Sequence, residues 1–562
     1  MTSVAPFLVF FVGAVLVALS SGVVRAVALL AIPVIGAVNL LGLAPGSAGP
    51  VSLFDYTLTI VRVDKLSLIF GYLFHLAALL GIIFSLHLKD RMQPVAAVLY
   101  AGSALGAVFA GDMITLFIFW ELLAVTSVFL ILARGTDRAT RAALRYLLIQ
   151  VGSGLLLLSG VLVRASQTGS IAIEPVALDG LAAWLILLAL GIKCCFPLLH
   201  NWLTDAYPEA TPTGTVFLSA FTTKVAVYAL ARLFTGEEIL VYIGAAMTMF
   251  PIFYAVIEND LRRVLAYSLI NQVGFMVCGI GIGTALAVNG AVSHAFNDVI
   301  FKGLLFMSMG AVLYRTGKIN GSELGGLYKS MPWTTGLCIV GAASISAFPL
   351  FSGFVSKSMV MVAALEKGYP VVWLALLFAS AGVFHHAGIK IPYFAFFAHD
   401  SGIRTKEAPP NMLIAMGLSA AICIFNGSYP WLLYSLLPFP VEYAPYTAEH
   451  VLTQSQLLFF SALAFVWLQL THLYPPELPG VNIDAEWSYR RALPAFGRFA
   501  LALGRDVRER SVVRFAGACQ LALDYIRRHH GPDGTLARTW PTGSMALWTT
   551  VILAMYLILS YI

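Results

Sequence analysis

The chain has 562 residues, of which 59% are hydrophobic and 11% are charged, and its formal net charge is +6. This composition excludes a soluble domain with a single anchor and indicates a polytopic membrane protein. The basic residues follow membrane topology and form no nucleic-acid patch, so no nucleic-acid partner is expected. The six cysteines form no CxxC motif and no cluster with histidine, which predicts core packing and no metal or cofactor site.

Apolar segments of membrane-spanning length follow one another along most of the chain. The first lacks a basic n-region, so we expect it to be retained and not cleaved as a signal peptide. The sixteen predicted spans are 5–21, 24–43, 64–87, 94–110, 112–133, 142–163, 181–203, 213–234, 239–257, 264–283, 285–313, 333–364, 370–397, 411–427, 455–472 and 543–561.

Lysine and arginine are unevenly distributed between alternate loops. With the N-terminus outside, the inner loops hold 24 of these residues and the outer loops hold 5. The positive-inside rule then predicts a bacterial cytoplasmic (inner) membrane protein with both termini on the outer side. In the polar segment 473–542, apolar residues recur at helical spacing from about Leu493 to Arg528. This pattern predicts a helix on the inner face, held either by anionic lipid or by a partner subunit.

Two spans carry proline breaks next to a lysine. Lys193 lies four residues before Pro197 in the seventh span, and Pro349 precedes Lys357 in the twelfth. Broken spans at matching places are typical of transporters with inverted repeats, so spans 4–8 are expected to match spans 9–13. The predicted organisation is 1–93 for helices 1–3, 94–234 for the first repeat, 235–397 for the second repeat, 398–472 for helices 14–15, 473–542 for the basic amphipathic segment and 543–562 for the last helix.

Five lysines lie within apolar spans, where one ammonium costs about 2.5–3.5 kcal/mol near the bilayer centre. The lysines are Lys193, Lys224, Lys302, Lys357 and Lys390. Only Glu121 and Asp298 lie as acids deep in the core spans. Because the acids are too few to neutralise the lysines, we expect some lysines to be uncharged for part of the time. This pattern favours proton movement along a buried polar path.

The remaining ionisable residues suggest how such a path is built. Glu121 is expected either to gate the path with a lysine or to form a static pair that fixes helix packing. The spacing of His294, Asp298 and Lys302 places them on one helical face, as a proton wire or as an intrahelical ion pair.

His386 and Lys390 cluster, with His385, in the thirteenth span, where they either open the path to one side or cap the bundle. His200 and Asp205, after the first break, are expected to anchor a loop. No P-loop, HExxH, GxSxG or dinucleotide fingerprint is present, so the sequence offers no catalytic motif.

Several motifs resemble the antiporter-like subunit family shared by Mrp-type multisubunit cation/proton antiporters, respiratory complex I and membrane-bound hydrogenases. The resemblance spans most of residues 60–400, and the tail from Ile483 to Arg490 is similar to that of some longer Mrp D-type subunits. The matching segments are Phe119–Leu123, His200–Ala206, Glu209–Pro212, Leu265–Ser268, Asn271–Gly274, Phe301–Phe306, Gly325–Leu327 and Met331–Pro332.

The resemblance implies an all-α fold with a core of about fourteen helices, two inverted five-helix repeats and broken helices 7 and 12. The family's functional positions fall on Glu121, Lys193, Lys224, Lys302 and Lys357. Independently of the resemblance, the opposite charges of Glu121 and Lys193 on spans of one repeat predict a gating pair. One lysine in each of spans 7, 8, 11 and 12 predicts a lateral relay. Asp298 stands where some members carry histidine.

The implied function is that of a proton-translocating subunit of a multisubunit Mrp-like monovalent cation/proton antiporter. Its partners would be other membrane subunits, lipid, protons and a monovalent cation. Two alternatives remain open on the sequence. One is a proton-pumping subunit of a complex I-like or hydrogenase redox complex, and the other is a proton-conducting partner of an inorganic-carbon uptake complex.

Overall fold

A computed structural model describes residues 4–53, 56–480 and 482–562. It divides into two compact units, the first ending at Asp484 and the second being Ala485–Ile562. The α-helices of the first unit are α1 (Pro6–Leu19), α2 (Gly22–Leu41), α3 (Lys65–Ser85), α4 (Met92–Phe109), α5 (Met113–Leu132), α6 (Asp137–Thr168), α7 (Leu181–Cys194), α8 (Asn201–Ala206), α9 (Gly214–Ala220), α10 (Thr222–Leu233), α11 (Glu238–Ile257), α12 (Leu261–Ile282), α13 (Ala285–Thr316), α14 (Pro332–Ile345), α15 (Ser352–Glu366), α16 (Pro370–Val383), α17 (Lys390–Pro392), α18 (Pro410–Ser428), α19 (Trp431–Ser435) and α20 (Ala448–Leu470). Short 3-10 turns lie at Gly321–Glu323 and Leu327–Lys329, and π-helical turns at Phe384–Ile389 and Tyr393–Phe397.

The helices confirm the predicted all-α class of membrane protein. Thirteen helices among the described residues are long and apolar enough to cross a membrane. Shorter apolar helices lie at Pro6–Leu19, Leu181–Lys193 and Pro332–Ile345, and the last two end where the proline breaks were predicted. The fifteenth predicted span starts too late at 455, because Glu449 and His450 in the first turns of α20 obscure its beginning.

A β-hairpin is the one feature of the described residues that departs from the all-α prediction. Strands β1 (Gly46–Leu53) and β2 (Tyr56–Val63) pair in antiparallel register and lead into α3. Asp64 caps α3 by accepting a hydrogen bond from the Ser67 N–H at 2.9 Å and pairs with Arg232. Burial opposes ionisation of Asp64, but the hydrogen bond and charge of Arg232 outweigh it and hold the pKa of this carboxyl below its usual value.

Both helix breaks contain residues with the same left-handed backbone conformation. Cys195 and Leu198 follow α7 with φ of 64° and 71°, and Ala347 and Leu350 follow α14 with φ of 60° and 73°. In each break the two residues enclose Phe-Pro, so the motifs align directly. Left-handed conformations are costly for residues with a Cβ, so the surrounding structure must hold both turns in place.

The alignment of the breaks refines the predicted match between the repeats. Lys193 falls opposite Ile345 and Lys357 falls opposite Asp205 when the two Phe-Pro-Leu motifs are superimposed. Lys193 and Lys357 therefore lie in matching spans but not at matching positions. A second recurrence supports matching α5 with α12, because an aspartate caps each helix. Each aspartate also forms an isolated antiparallel β-bridge with a residue the same distance further along the chain, Asp112 with Ala172 and Asp260 with Asn320.

The second unit contains a π-helical turn (Ser488–Ala492), α21 (Leu493–His530) and α22 (Thr542–Tyr561). Helix α21 coincides with the amphipathic helix predicted from about Leu493 to Arg528. No side chain of α21 or α22 is buried within the chain. The preceding residues up to Asp484 belong to the first unit.

The second break is held against the end of α18. Tyr446 accepts a hydrogen bond from the Leu350 N–H at 3.1 Å and donates one to the Gly427 carbonyl. A Cβ on Gly427 would overlap the backbone of Leu350 and Phe351.

We therefore expect Gly427→Ala to destabilise the protein by about 1–3 kcal/mol, as overpacking against fixed backbone does. Gly417→Ala, on the same helix and with open space around it, is the matched control. Thermal unfolding of the purified protein measures the difference. Equal midpoints for the two variants would show that the break does not depend on this contact.

Candidate functional site

All five predicted lysines are removed from solvent inside the first unit. Their exposed fractions are 0% for Lys193, Lys224, Lys302 and Lys390 and 1% for Lys357. A buried ammonium needs oxygen acceptors, so the identity of each acceptor shows what the lysine can do.

Three of the lysines are held by uncharged oxygen atoms. Lys193 donates to the Trp120 carbonyl at 2.7 Å, with its Nζ 4.3 Å from the Trp120 ring centroid. Lys302 donates to Ser268 Oγ at 2.8 Å. Lys357 donates at 2.6 Å to the carbonyl of Ile345, the last residue of α14 before the break. Within the described part of the chain, no carboxylate forms an ion pair with any of these three lysines.

Lys224 differs from these three lysines because it contacts a carboxylate. Its Nζ lies 2.5 Å from Asp298 Oδ2, both side chains are fully buried, and it also donates to the Ser219 carbonyl at 3.2 Å. Asp298 therefore pairs across helices, from α13 to α10. The intrahelical pair with Lys302, which was one of the two predicted alternatives, is not formed.

His294 joins the same cluster through its two ring nitrogens. Nδ1 lies 3.0 Å from Ser356 Oγ and Nε2 lies 3.2 Å from Gln272 Oε1. Lys357, Lys224 and Lys302 all act electrostatically on this imidazole. The predicted common face of α13 thus points into the lysine row.

Glu121 lies at the other end, on α5, and is partly exposed. It interacts electrostatically with Lys193, and its Oε1 has no hydrogen-bond partner among the described residues. A Cβ on Gly154 of α6 would overlap that oxygen, so the carboxyl group rests directly against the glycine. Cys194, next to Lys193 in the chain, is within electrostatic range of Lys224.

His386 and Lys390 lie in a helix that departs from α geometry. The π-helical turn Phe384–Ile389 changes the α-helical spacing between His386 and Lys390, and such turns often mark functional sites. The ring of His386 is fully buried, and the Gly382 backbone, Lys302 and Lys390 all act on it. Lys390 donates to the carbonyls of Val256 at 2.6 Å and Glu258 at 2.7 Å.

The carboxylate partner of Lys390 was missed by sequence reasoning. Glu477 Oε1 lies 2.8 Å from Lys390 Nζ and comes from the segment that was assigned to the membrane surface. The loop-anchoring role expected for His200 and Asp205 agrees with their contacts. His200 Nε2 lies 3.0 Å from Asp484 Oδ2, and Asp205 pairs with Arg145 at 2.7 Å.

A second missed residue is His450, at the start of α20. It lines a cavity of about 110 Å³ together with Lys357, Ser358 and Gln454, and its ring stacks on Phe354 with centroids 4.2 Å apart. The predicted span boundary excluded this histidine, although a histidine at the end of an apolar segment was a usable signal. The cavity connects the buried Lys357 with His450, which begins α20 at the end of the bundle predicted to be outer.

Residues 110–383 match the profile of a family described as NADH:quinone oxidoreductase/Mrp antiporter, TM. The chain is 27% identical to hydrogenase-4 component B of Escherichia coli, over 67% of this chain and 64% of the relative. It is 31% identical to the D-type Na(+)/H(+) antiporter protein of Alkalihalophilus pseudofirmus, over 52% and 63%, and 32% identical to NADH-quinone oxidoreductase subunit N of Desulforudis audaxviator, over 55% and 66%. The chain thus spans just under two thirds of the length of these relatives.

Solved structures show the same fold. A chain of the Mrp complex from Dietzia sp. superimposes with a TM-score of 0.67 at 20% identity, over 82% of this chain and 95% of that chain. A chain of the archaeal membrane-bound sulfane sulfur reductase, a respiratory membrane complex, superimposes with a TM-score of 0.71 at 22% identity, over 99% of both chains.

The contact between Glu121 and Gly154 allows a test that leaves every ionisable residue in place. Gly154→Ala is expected to displace the Glu121 carboxyl at little cost in stability, because the overlapping atom ends a flexible side chain. We expect proton movement in reconstituted vesicles to fall by about tenfold or more, as misplacement of a reacting group does. Gly152→Ala, on the same helix with nothing nearby, should retain the wild-type rate. Equal rates for the two variants would contradict a role for the position of Glu121.

Proposed function

We propose that this chain is the proton-translocating subunit of a multisubunit Mrp-like monovalent cation/proton antiporter, since residues 110–383 match the profile of the NADH:quinone oxidoreductase/Mrp antiporter family. The proposal is supported chiefly by one observation, the row of fully buried lysines whose acceptors are mostly uncharged. Its partners would be other membrane subunits, and the transported ions would be protons and a monovalent cation.

The proposed relay runs from Lys193 through Lys224 and Lys302 to Lys357. In each step an ammonium releases a proton to a neighbouring uncharged amine or imidazole, and water fills the distances that side chains do not bridge. Carbonyl and hydroxyl acceptors suit this task, because they accept an N–H from the ammonium and from the neutral amine alike. Glu121 gates the row by its charge on Lys193, and the cavity at His450 would open the row to the outer side.

A second candidate is a proton-pumping subunit of a redox-driven membrane complex. It is favoured by the likeness over 99% of both chains to the sulfane sulfur reductase chain. In that case the redox chemistry belongs to partner subunits. Isolation of the native complex through a tag on this chain separates the two candidates, because an antiporter moves protons in response to Na⁺ or K⁺ without an electron donor.

Arginine replacements test the relay itself. Arginine keeps the positive charge but does not deprotonate in proteins. A lysine that serves only as a structural charge should therefore tolerate the replacement, whereas a lysine that relays protons should not. We expect Lys224→Arg and Lys302→Arg each to lower proton movement by about tenfold or more while the complex still assembles. Lys89→Arg, at an exposed loop position, is the control. Full rates in both buried variants would rule out the lateral relay.

A further inference from the structure

Residues 473–480 and 482–484, here called the return segment, fold back onto the end of the second repeat. Asp484 accepts a hydrogen bond from Tyr267 Oη at 2.7 Å and lies beside His200. Asn482 donates to Glu258 Oε2 at 3.2 Å. Glu258 also lies 3.9 Å from Arg263, which places the segment on the face predicted to be inner, hereafter the basic face.

The two carboxylates of the return segment occupy different surroundings. Asp484 sits between Tyr267 and His200, which fits an anchor. Glu477 contacts Lys390 and borders a cavity of about 480 Å³ that opens at the basic face. The Glu477 side chain is 6% exposed, so it stands between the buried lysine and the cavity. The cavity is also lined by Ser322, His399, Gln469, His472 and Tyr474.

The groups around Glu477 make its carboxyl retain a proton more readily than the carboxyl of a solvent-exposed glutamate does. Burial raises the pKa of Glu477, the nearby charge of Glu258 adds to the effect, and Lys390 opposes it. His385 lies next to the same site through its ring contact with Tyr474, with centroids 5.5 Å apart. A carboxyl of this kind can exist in both protonation states beside water.

We propose that Glu477 is the residue through which Lys390 exchanges protons with water at the basic face. The O–H bond of the Glu477 carboxyl breaks and its proton forms an N–H bond on the uncharged Lys390 amine, which leaves a carboxylate and an ammonium. The carboxylate then takes a proton from hydronium in the cavity and releases water. Lys390 passes its proton to a ring nitrogen of His386, and the steps run equally in reverse.

The connection to the lysine row follows from His386. The ring of His386 is fully buried, and both Lys390 and Lys302 act on it electrostatically. Glu477, Lys390 and His386 therefore form a branch from the basic face to the centre of the proposed relay. This inference rests on the proposed function for its role in transport, but protonation of Glu477 from the basic face is measurable by itself.

The test compares two variants of Glu477 with one of its neighbour in the same segment. The complete complex is placed in inverted membrane vesicles, and proton movement is measured across a pH range. We expect Glu477→Gln to lower the rate by about tenfold or more, because an amide cannot carry the proton. Glu477→Asp should recover part of the rate. Asp484→Asn, which alters an anchor and not the branch, should retain most of it.

A second readout reports the protonation state directly. Dicyclohexylcarbodiimide modifies protonated carboxyls in apolar surroundings, and mass spectrometry locates the product. Because the pKa of Glu477 is raised, its modification should persist well above the ordinary glutamate value of about 4.3 and decline as the pH rises further.

The outcomes are distinct. Equal losses in Glu477→Gln and Asp484→Asn, or a full rate in Glu477→Gln, would overturn the proposal, as would the absence of carbodiimide modification at every pH. If the wild-type complex moves no protons while modification of Glu477 still follows pH, the proposed function fails and proton exchange at Glu477 stands. If Glu477→Gln does not assemble, Glu477→Asp and the modification profile of the wild type decide.

Discussion

A buried ammonium must be held by oxygen atoms, and this chain supplies most of them as uncharged groups. Ile345 ends α14, Ser219 lies at the end of α9 and Val256 lies at the end of α11. Helix ends leave carbonyls without intrahelical partners, so these three residues offer acceptors that buried lysines can use. The end of α14 at the second break therefore does more than interrupt the bundle, because it helps to bury Lys357 without a carboxylate.

The pair of Lys224 and Asp298 differs from the rest of the row. A fully buried ion pair favours the charged form of both groups, and loss of one partner costs about 3–5 kcal/mol. Lys193 and Lys357 are held by carbonyls and Lys302 by a hydroxyl. Asp298 also acts electrostatically on Lys302 and Lys357, and Glu121 acts on Lys193. Moving Asp298 would therefore change the electrostatics at Lys302 and Lys357 as well as at Lys224.

Sequence reasoning identified the lysines, the breaks and the helix from Leu493, because each leaves a local signature. It missed Glu477, since a glutamate in a polar proline-rich segment gives no sign that it returns to Lys390. It also left the partner of Asp298 open, because helical spacing favours Lys302 whereas packing brings Lys224 closer. Long-range contacts between segments decide both cases, and periodicity does not report them.

The central claim is that lysines held by uncharged oxygens change protonation state while the complex works. Nitrogen-15 NMR of labelled lysine side chains, assigned by single arginine replacements, observes this directly. The account predicts that the Nζ signals of Lys193, Lys302 and Lys357 change from ammonium to amine within the pH range of transport. Ammonium signals that persist for all three lysines throughout that range would contradict it.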